Sequence, residues 1–327
     1  SAAPAAAVVD PAQPFGLTPI QAWFFEQDYA DSHHWNQSLM LAGEGAVDPR
    51  RLQRALARLS AHHAALRLRF TRDAQGWRQQ VAPAGEVPEL EVIDLRDHAD
   101  PQAALADEVE RLQRSLTLAQ PFRAAWLDLG RAGSRLLLAT HHLVVDTVSW
   151  RILLEDLESC YEQAAHAASS APLAHGATWQ AWAARLHGHA ASPAVRAELP
   201  YWQQVCGQHE PDLPGQAQGG NTVADAQTLS WEADEAFTRQ VLVDAARLGR
   251  VRIDELLLTA LARTLCAWTG RDSVLVELEG HGREDIGELD TSRTVGWFTA
   301  LYPQRLAARG VHARDDLKSV VGALRAV

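Results

Sequence analysis

The sequence has few of the features that mark redox, membrane or exported proteins. Its 327 residues include only three cysteines, Cys160, Cys206 and Cys266, whose wide spacing fits neither a metal site nor a redox pair. No apolar run reaches the roughly 18 residues that suggest a membrane-spanning helix. The opening residues also lack the basic start of a secretory signal. We therefore expect a reduced, cytoplasmic protein without a membrane partner.

Basic residues are also in deficit. The chain carries 30 Lys and Arg residues against 41 Asp and Glu residues, a formal net charge of −11. Nucleic acids and anionic lipid surfaces select basic partners, so nucleic acid is not an expected ligand. A phosphate-bearing ligand stays open, because a few arginines are enough to bind one phosphate group.

The length predicts more than one hydrophobic core, since single cores seldom serve chains longer than about 250–300 residues. Residues 1–14 are rich in Ala and Pro and are typical of a linker. Residues 164–176 and residues 207–224, the latter rich in Gly, Pro and Gln, are typical of connections. We predict a linker at 1–14, a first lobe at 15–180 and a second lobe at 181–327. Each lobe mixes helices and strands in an α/β (α+β sandwich) fold.

A pair of histidines lies at a predicted strand end. Residues 134–146, SRLLLATHHLVVD, are typical of a buried strand that leaves its sheet at His141 and His142. Apolar residues at helical spacing follow from Trp150, and Asp146 or Thr147 is placed to cap that helix. The predicted unit is a strand, a turn and a helix.

This unit suits a general base, because rigid elements would hold an imidazole that can accept a proton near neutral pH. Two other interpretations stay open. The histidines could be hydrogen-bonded structural residues. His142 and Asp146 could also belong to a metal site, but no third ligand of suitable spacing is apparent, so we predict no metal.

Four segments in the same order resemble epimerization domains of nonribosomal peptide synthetases, which belong to the condensation superfamily. HHLVVDTVSW at 141–150 is similar to the HHxxxDxxSW signature of those domains. LTPIQAWFF at 17–25, EGHGRE at 279–284 and RTVGWFTALYP at 293–303 match further motifs. The resemblance extends from about Leu17 to the C-terminus.

The resemblance implies two chloramphenicol-acetyltransferase-like lobes that form a V around a central tunnel. The second lobe would be truncated, because the family's later Gly- and Tyr-containing and FNYLG-like segments do not follow. The implied activity inverts the Cα of an L-aminoacyl or peptidyl thioester and gives the D-configured residue. The substrate would arrive on the 4′-phosphopantetheine of an upstream peptidyl carrier protein, with a downstream condensation domain as second partner and no bound cofactor.

The resemblance also implies site residues. His142 would be the catalytic base and Glu279 its partner on the opposite face of a planar enolate, although strand-end carboxylates are often merely exposed. The helix after Asp146 could stabilise charge on the thioester oxygen. The implied supporting residues are His141, Asp146, Trp150 and Arg67, of which Arg67 would pair with Asp146. Tunnel or phosphopantetheine contacts are expected from Arg283, Arg293 and Trp297, unless they serve ion pairing and core packing.

Two rival functions remain. Condensation domains usually have Gly directly after the motif Asp, whereas this chain has Thr147, which favours epimerization over peptide-bond formation by a condensation-type acyl transferase. A noncatalytic carrier-docking domain is the alternative outside enzymes, and the presence of His142 and Glu279 argues against it.

Overall fold

The computed structural model divides into two compact units. It describes residues 13–43, 47–86, 89–165, 171–207, 213–215, 222–247, 251–310 and 312–326. The first unit comprises residues 1–193 and 281–300, and the second comprises residues 194–280 and 301–327. This division differs from a single boundary at 180, because the chain returns to the first unit for residues 281–300. Most of the predicted linker at 1–14 lies outside the described residues.

Helices and strands are mixed along the whole chain. The helices are α1 (Pro19–Glu26), α2 (Pro49–His62), α3 (Pro101–Arg114), α4 (Thr147–Gln163), α5 (Trp179–Ala190), α6 (Pro193–Ala197), α7 (Leu199–Cys206), α8 (Glu235–Arg247), α9 (Ile253–Thr269) and α10 (Ala313–Leu324). The strands are β1 (Asn36–Gly43), β2 (Leu68–Asp73), β3 (Gly76–Val81), β4 (Leu90–Asp94), β5 (Phe122–Asp128), β6 (Ser134–His141), β7 (Ser273–Gly280) and β8 (Ala300–Ala307). The predicted α/β class is confirmed. Within the described ranges, no helix has the length and apolar character needed to cross a bilayer.

A mixed sheet with strand order β1-β6-β5-β4 forms the centre of the first unit. Strand β6 is antiparallel to both of its neighbours, whereas β4 and β5 run parallel. The inner strands β5 and β6 are mostly buried, as expected for strands covered on both faces. The sheet therefore holds the end of β6, with its histidines, on a buried framework.

Helices α2, α3 and α4 complete the packing of the first unit. Helix α2 packs against α4, and α3 packs against β5 and β6. The Asp48 carboxylate caps α2 by accepting from the Arg50 N–H at 2.9 Å, and Leu52, Leu56 and Leu59 are buried. Burial of each such leucine stabilises the fold by about 1.5–3 kcal/mol. The buried leucines recur at helical spacing, so α2 is an amphipathic helix with one face in the core.

A β-hairpin turns at residues 73–76, DAQG. Strands β2 and β3 pair antiparallel, with Asp73 opposite Gly76. Gly76 has a φ of +114°, a backbone conformation that favours glycine over residues with a Cβ. The short loop and the alternating pattern of the two segments therefore agree with the observed turn.

The second unit has its own small core. Strand β7 pairs with β8, and α9 packs against both α10 and β7. The buried core residues come from all four elements: Ala262, Cys266, Val274, Leu306 and Val320. Helices α8 and α9 precede β7, the strand that carries Glu279 near its end.

Candidate active site

The histidine pair lies where β6 leaves the sheet. His141 is the last residue of β6 and pairs with Asn36 of β1. The backbone N–H of His142 then donates to the Trp35 carbonyl at 2.8 Å, which extends the ladder by one residue. A short 3-10 turn over residues 142–144 follows, and α4 begins at Thr147. The predicted strand, turn and helix are all present.

His141 is buried, with 0% of its surface exposed. Its Nε2 lies 2.9 Å from the Ser32 carbonyl oxygen, and its Nδ1 accepts from the Leu143 N–H at 3.2 Å. Because a carbonyl only accepts hydrogen bonds, the proton of the neutral ring is on Nε2. Burial lowers the pKa of His141 to about 4, so the ring is neutral at pH 7.

His142 is half-buried and has the opposite tautomer. Its Nδ1 lies 2.8 Å from the Val145 carbonyl oxygen, so Nδ1 carries the proton. Its Nε2 lies 3.0 Å from the amide nitrogen of Gln37, which can only donate, so Nε2 presents its lone pair. The Trp297 ring lies against the imidazole at a tilt of 33°, with centroids 4.4 Å apart. The arrangement is that of an oriented neutral base.

Asp146 is the N-cap of α4 and is nearly buried. Its Oδ1 accepts from the Ser149 N–H at 2.7 Å, as the cap prediction required. Its carboxylate also receives the Arg283 guanidinium at 3.1 and 3.2 Å, and the two side chains are 9% and 10% exposed. A carboxylate therefore already occupies the N-terminus of α4, so this helix end is not open to a developing oxyanion, contrary to our expectation.

The predicted pairing of Arg67 with Asp146 is wrong. The Arg67 guanidinium donates to backbone carbonyls, to Ser60 at 2.9 Å, to Ala61 at 3.2 Å, and to Ala82. These bonds fix the junction between α2 and the β2–β3 hairpin. The physical reason is that the chain returns at residue 281, which brings a different arginine to the carboxylate.

The Arg283 side chain is held by several contacts and is not a simple surface cation. One of its nitrogens donates to the Thr291 and Thr294 carbonyls at 2.9 and 2.8 Å, while the guanidinium stacks on the Phe298 ring at 3.8 Å. Burial lowers the pKa of Arg283, and the carboxylate of Asp146 opposes that effect. Contact with a phosphopantetheine phosphate would require these bonds to break.

Arg293 lies in an ion-pair cluster beside α4. Its guanidinium binds the carboxylates of Glu155 and Asp156, and the other oxygen of Asp156 lies 2.8 Å from His63 Nε2. Burial raises the pKa of Asp156, but the hydrogen bond from His63 and the charge of Arg293 lower it overall. Binding of a phosphate by Arg293 would likewise require its ion pairs with Glu155 and Asp156 to break.

The same cluster contains a possible metal-ligand set. Three possible ligand atoms, one each from His62, His63 and Asp156, lie within 4.8 Å of one another. However, the Asp156 carboxylate already accepts from His63 and from Arg293, and the arginine charge would repel a cation. The donor set fits an ion-pair network better than a metal centre.

Trp150 and Glu279 complete the predicted residues. Trp150 is buried in the first turn of α4, and its indole N–H donates to Gln37 Oε1 at 2.8 Å. Glu279 is exposed near the end of β7 in the second unit.

Sequence reasoning missed Gln37, because its position in NQSLMLAG gives no local chemical signal. Only the β1–β6 register reveals that it lies beside His142.

The comparisons with known proteins identify the class. An α/β domain with a strand-end HHxxxD turn matches the condensation-domain profile over residues 12–326, and the chain belongs to that family. It is 39% identical over 322 residues to a linear gramicidin synthase subunit of Brevibacillus parabrevis, covering 95% of this chain and 4% of that protein. It is 36% identical over 319 residues to surfactin synthase subunit 2 of Bacillus subtilis strain 168, with 95% and 9% covered. The chain thus spans a small part of these relatives.

Solved structures agree with the family. The epimerization domain from the third module of tyrocidine synthetase B superposes with a TM-score of 0.88 at 32% identity, covering 96% of this chain and 73% of that chain. The first condensation domain of the calcium-dependent antibiotic synthetase, with a substrate analogue, gives a TM-score of 0.73 at 23% identity, with 96% and 74% covered. The second likeness speaks for the fold alone.

Proposed function

We propose that this domain inverts the Cα configuration of an L-aminoacyl or peptidyl thioester held on the 4′-phosphopantetheine of a carrier protein. The observation that carries the proposal is the orientation of His142, a neutral imidazole whose Nε2 lone pair is presented at a strand end. Likeness to a solved epimerization domain at 32% identity supports this reaction over acyl transfer. The proposed partners are an upstream peptidyl carrier protein and a downstream condensation domain of one synthetase.

In the proposed reaction the thioester acidifies the Cα–H bond. His142 Nε2 takes the Cα proton and becomes an imidazolium, while the electron pair passes into the enolate. Glu279, in its protonated form, donates its proton to the opposite face of the planar carbon and is left as a carboxylate. The roles exchange in the reverse direction. This scheme requires that the two lobes form a V whose tunnel brings both side chains to one carbon.

The test uses a carrier protein loaded with an L-aminoacyl group in deuterated water. We expect incorporation of deuterium at Cα and appearance of the D-thioester without any acceptor substrate. His142→Ala should abolish both signals, because the proton acceptor is lost, with a fall of at least about 100-fold. Glu279→Gln should impair inversion in at least one direction. Chirality analysis of the released amino acid provides the measurement.

A matched control lies two residues before Glu279 on the same strand. Glu277 is also exposed, and Glu277→Gln removes the same charge without touching the proposed chemistry, so its exchange rate should equal that of the parent. Full activity in both His142→Ala and Glu279→Gln would refute the assignments. Product formation only after addition of an aminoacyl acceptor would instead indicate a condensation-type transferase, and binding without turnover a docking domain.

A further inference from the structure

A continuous hydrogen-bond relay joins α4, β1 and the histidine turn. The Trp150 indole N–H donates to Gln37 Oε1 at 2.8 Å. The Gln37 amide nitrogen lies 3.0 Å from His142 Nε2, and His142 Nδ1 lies 2.8 Å from the Val145 carbonyl oxygen. Trp150 is buried, while Gln37 and His142 are half-buried.

The direction of the relay is fixed at both ends. An indole N–H can only donate, so the oxygen of the Gln37 amide must face Trp150 and its NH2 group must face His142. A carbonyl oxygen can only accept, so Nδ1 of His142 must carry a proton. The relay therefore leaves one consistent pattern, in which His142 is singly protonated and its Nε2 accepts.

Sheet geometry explains why Gln37 reaches this histidine. In the β1–β6 register, Gln37 lies opposite Thr140, and His142 lies two residues further along the same face. Diagonal neighbours of this kind are within reach of a long side chain. The amide is held by regular backbone structure rather than by a loop, so its position is well defined.

A second proton on His142 would meet a donor. If Nε2 were protonated, its N–H would face the NH2 group of Gln37. Rotation of the Gln37 amide by 180° would relieve that contact but would place its NH2 against the Trp150 N–H, again donor against donor. The relay thus disfavours the doubly protonated ring, because either orientation of the Gln37 amide leaves one donor facing another.

We propose that Gln37, oriented by Trp150, is a positioning residue that keeps His142 singly protonated, with Nε2 as the unprotonated nitrogen. The inference rests on the proposed function of His142 as the base. When the Cα–H bond of the substrate approaches Nε2, the Gln37 amide moves away from that nitrogen. The amide returns after the proton has left the ring. Because the doubly protonated ring is disfavoured, it gives up the abstracted proton, and His142 is again able to accept a proton in the next L-to-D turnover.

Gln37→Glu tests the relay with a side chain of nearly the same shape. A carboxylate accepts where the amide donated, so it stabilises the doubly protonated ring. Nitrogen-15 correlation spectra of the imidazoles, recorded across pH, should show His142 titrating at a pH higher by about one unit. The acid limb of the Cα-exchange pH profile should move upward by the same amount, because the base must first lose that proton.

Trp150→Phe provides an independent variant. It removes the N–H that orients the amide, so Gln37 can rotate and offer its oxygen to a protonated ring. The His142 titration should again move upward, by less than in Gln37→Glu. Gln75→Glu, in the exposed turn of the β2–β3 hairpin, makes the same charge change away from the relay and should leave both readouts unchanged.

The readouts separate the two proposals. An unmoved His142 titration in folded Gln37→Glu and Trp150→Phe, or a parent spectrum with the proton on Nε2, overturns the relay whatever the activity. A parent protein that exchanges no Cα proton, but whose His142 titration moves as expected, refutes the proposed function and leaves the relay standing. Thermal melts of each variant confirm that the comparison is made between folded proteins.

Discussion

At the scale of single residues, two adjacent histidines have opposite environments. Successive side chains of a strand point to opposite faces, so a histidine pair at a strand end places one ring inside and one outside. His141 is the inner ring, with its proton on Nε2, and His142 is the outer ring, with its proton on Nδ1. The difference between the structural histidine and the proposed base therefore follows from strand geometry.

The buried histidine should make stability depend on pH. The pKa of His141 is lowered by burial from 6.5 to about 4, so between these values the unfolded chain binds a proton that the folded chain does not. Stability is then lost as pH falls from 6.5 towards 4, by up to about 3 kcal/mol from this residue. Urea unfolding at pH 7 and at pH 4.5 measures the loss.

His141→Asn keeps an acceptor near the Leu143 N–H but has no imidazole to protonate. We expect lower stability at pH 7 and a smaller decrease between pH 7 and 4.5 than in the parent. His189→Asn, at an exposed site in α5, should retain the parental decrease. An equal decrease in parent and His141→Asn would show that His141 does not contribute to acid sensitivity.

At the scale of elements, the N-terminus of α4 is a junction. Ser149 Oγ donates to the Gly296 carbonyl at 3.0 Å and accepts from the Gly296 N–H at 3.1 Å. Asp146 also accepts from the Phe298 N–H at 3.3 Å, besides binding Arg283. The HHxxxDxxSW pattern thus specifies a helix cap that holds the returning segment 281–300, in addition to the proposed base.

Loss of Arg283 should therefore destabilise the first unit. Arg283→Met keeps an apolar stem of similar length but leaves the Asp146 carboxylate buried without its cation, which costs about 3–5 kcal/mol. The control is Arg151→Met, which breaks an exposed ion pair with Glu155 within α4. This change should lower the free energy of unfolding by less than about 1 kcal/mol. Chemical denaturation of both variants gives the comparison. Similar values for the two would mean that Asp146 is stabilised by its helix cap alone.

Local patterns predicted the elements, while the contacts between distant segments needed the structure. An apolar run, apolar residues at helical spacing and a capping residue predicted β6 and α4, because those signals act within a few residues. The partner of Asp146 was misassigned, because Arg67 and Arg283 are equally plausible cations until the path of the chain is known. Gln37 was missed for the same reason: its role depends on a register between strands about 100 residues apart.

At the scale of the whole molecule, the chain completes its first unit late. Residues 281–300 join that unit after the chain has passed through residues 194–280 of the second. The returning segment fits closely, since a Cβ on Gly282, whose φ is +64°, would overlap the Phe298 carbonyl oxygen. Folding of the first unit therefore requires residues far apart in sequence, a topology that slows folding.

The fit of the returning segment can be tested at Gly296. A Cβ there would overlap the Trp179 ring, which is buried and donates its N–H to Gln79 Oε1 at 3.0 Å, so the ring cannot move away freely. Gly296→Ala should destabilise by about 1–3 kcal/mol through overpacking. Gly188→Ala, with open space in α5 of the same unit, should stabilise by up to about 1 kcal/mol, because alanine favours helix. Opposite signs in urea unfolding would establish that segment 281–300 is part of the first unit's core, whereas stabilisation by both changes would contradict it.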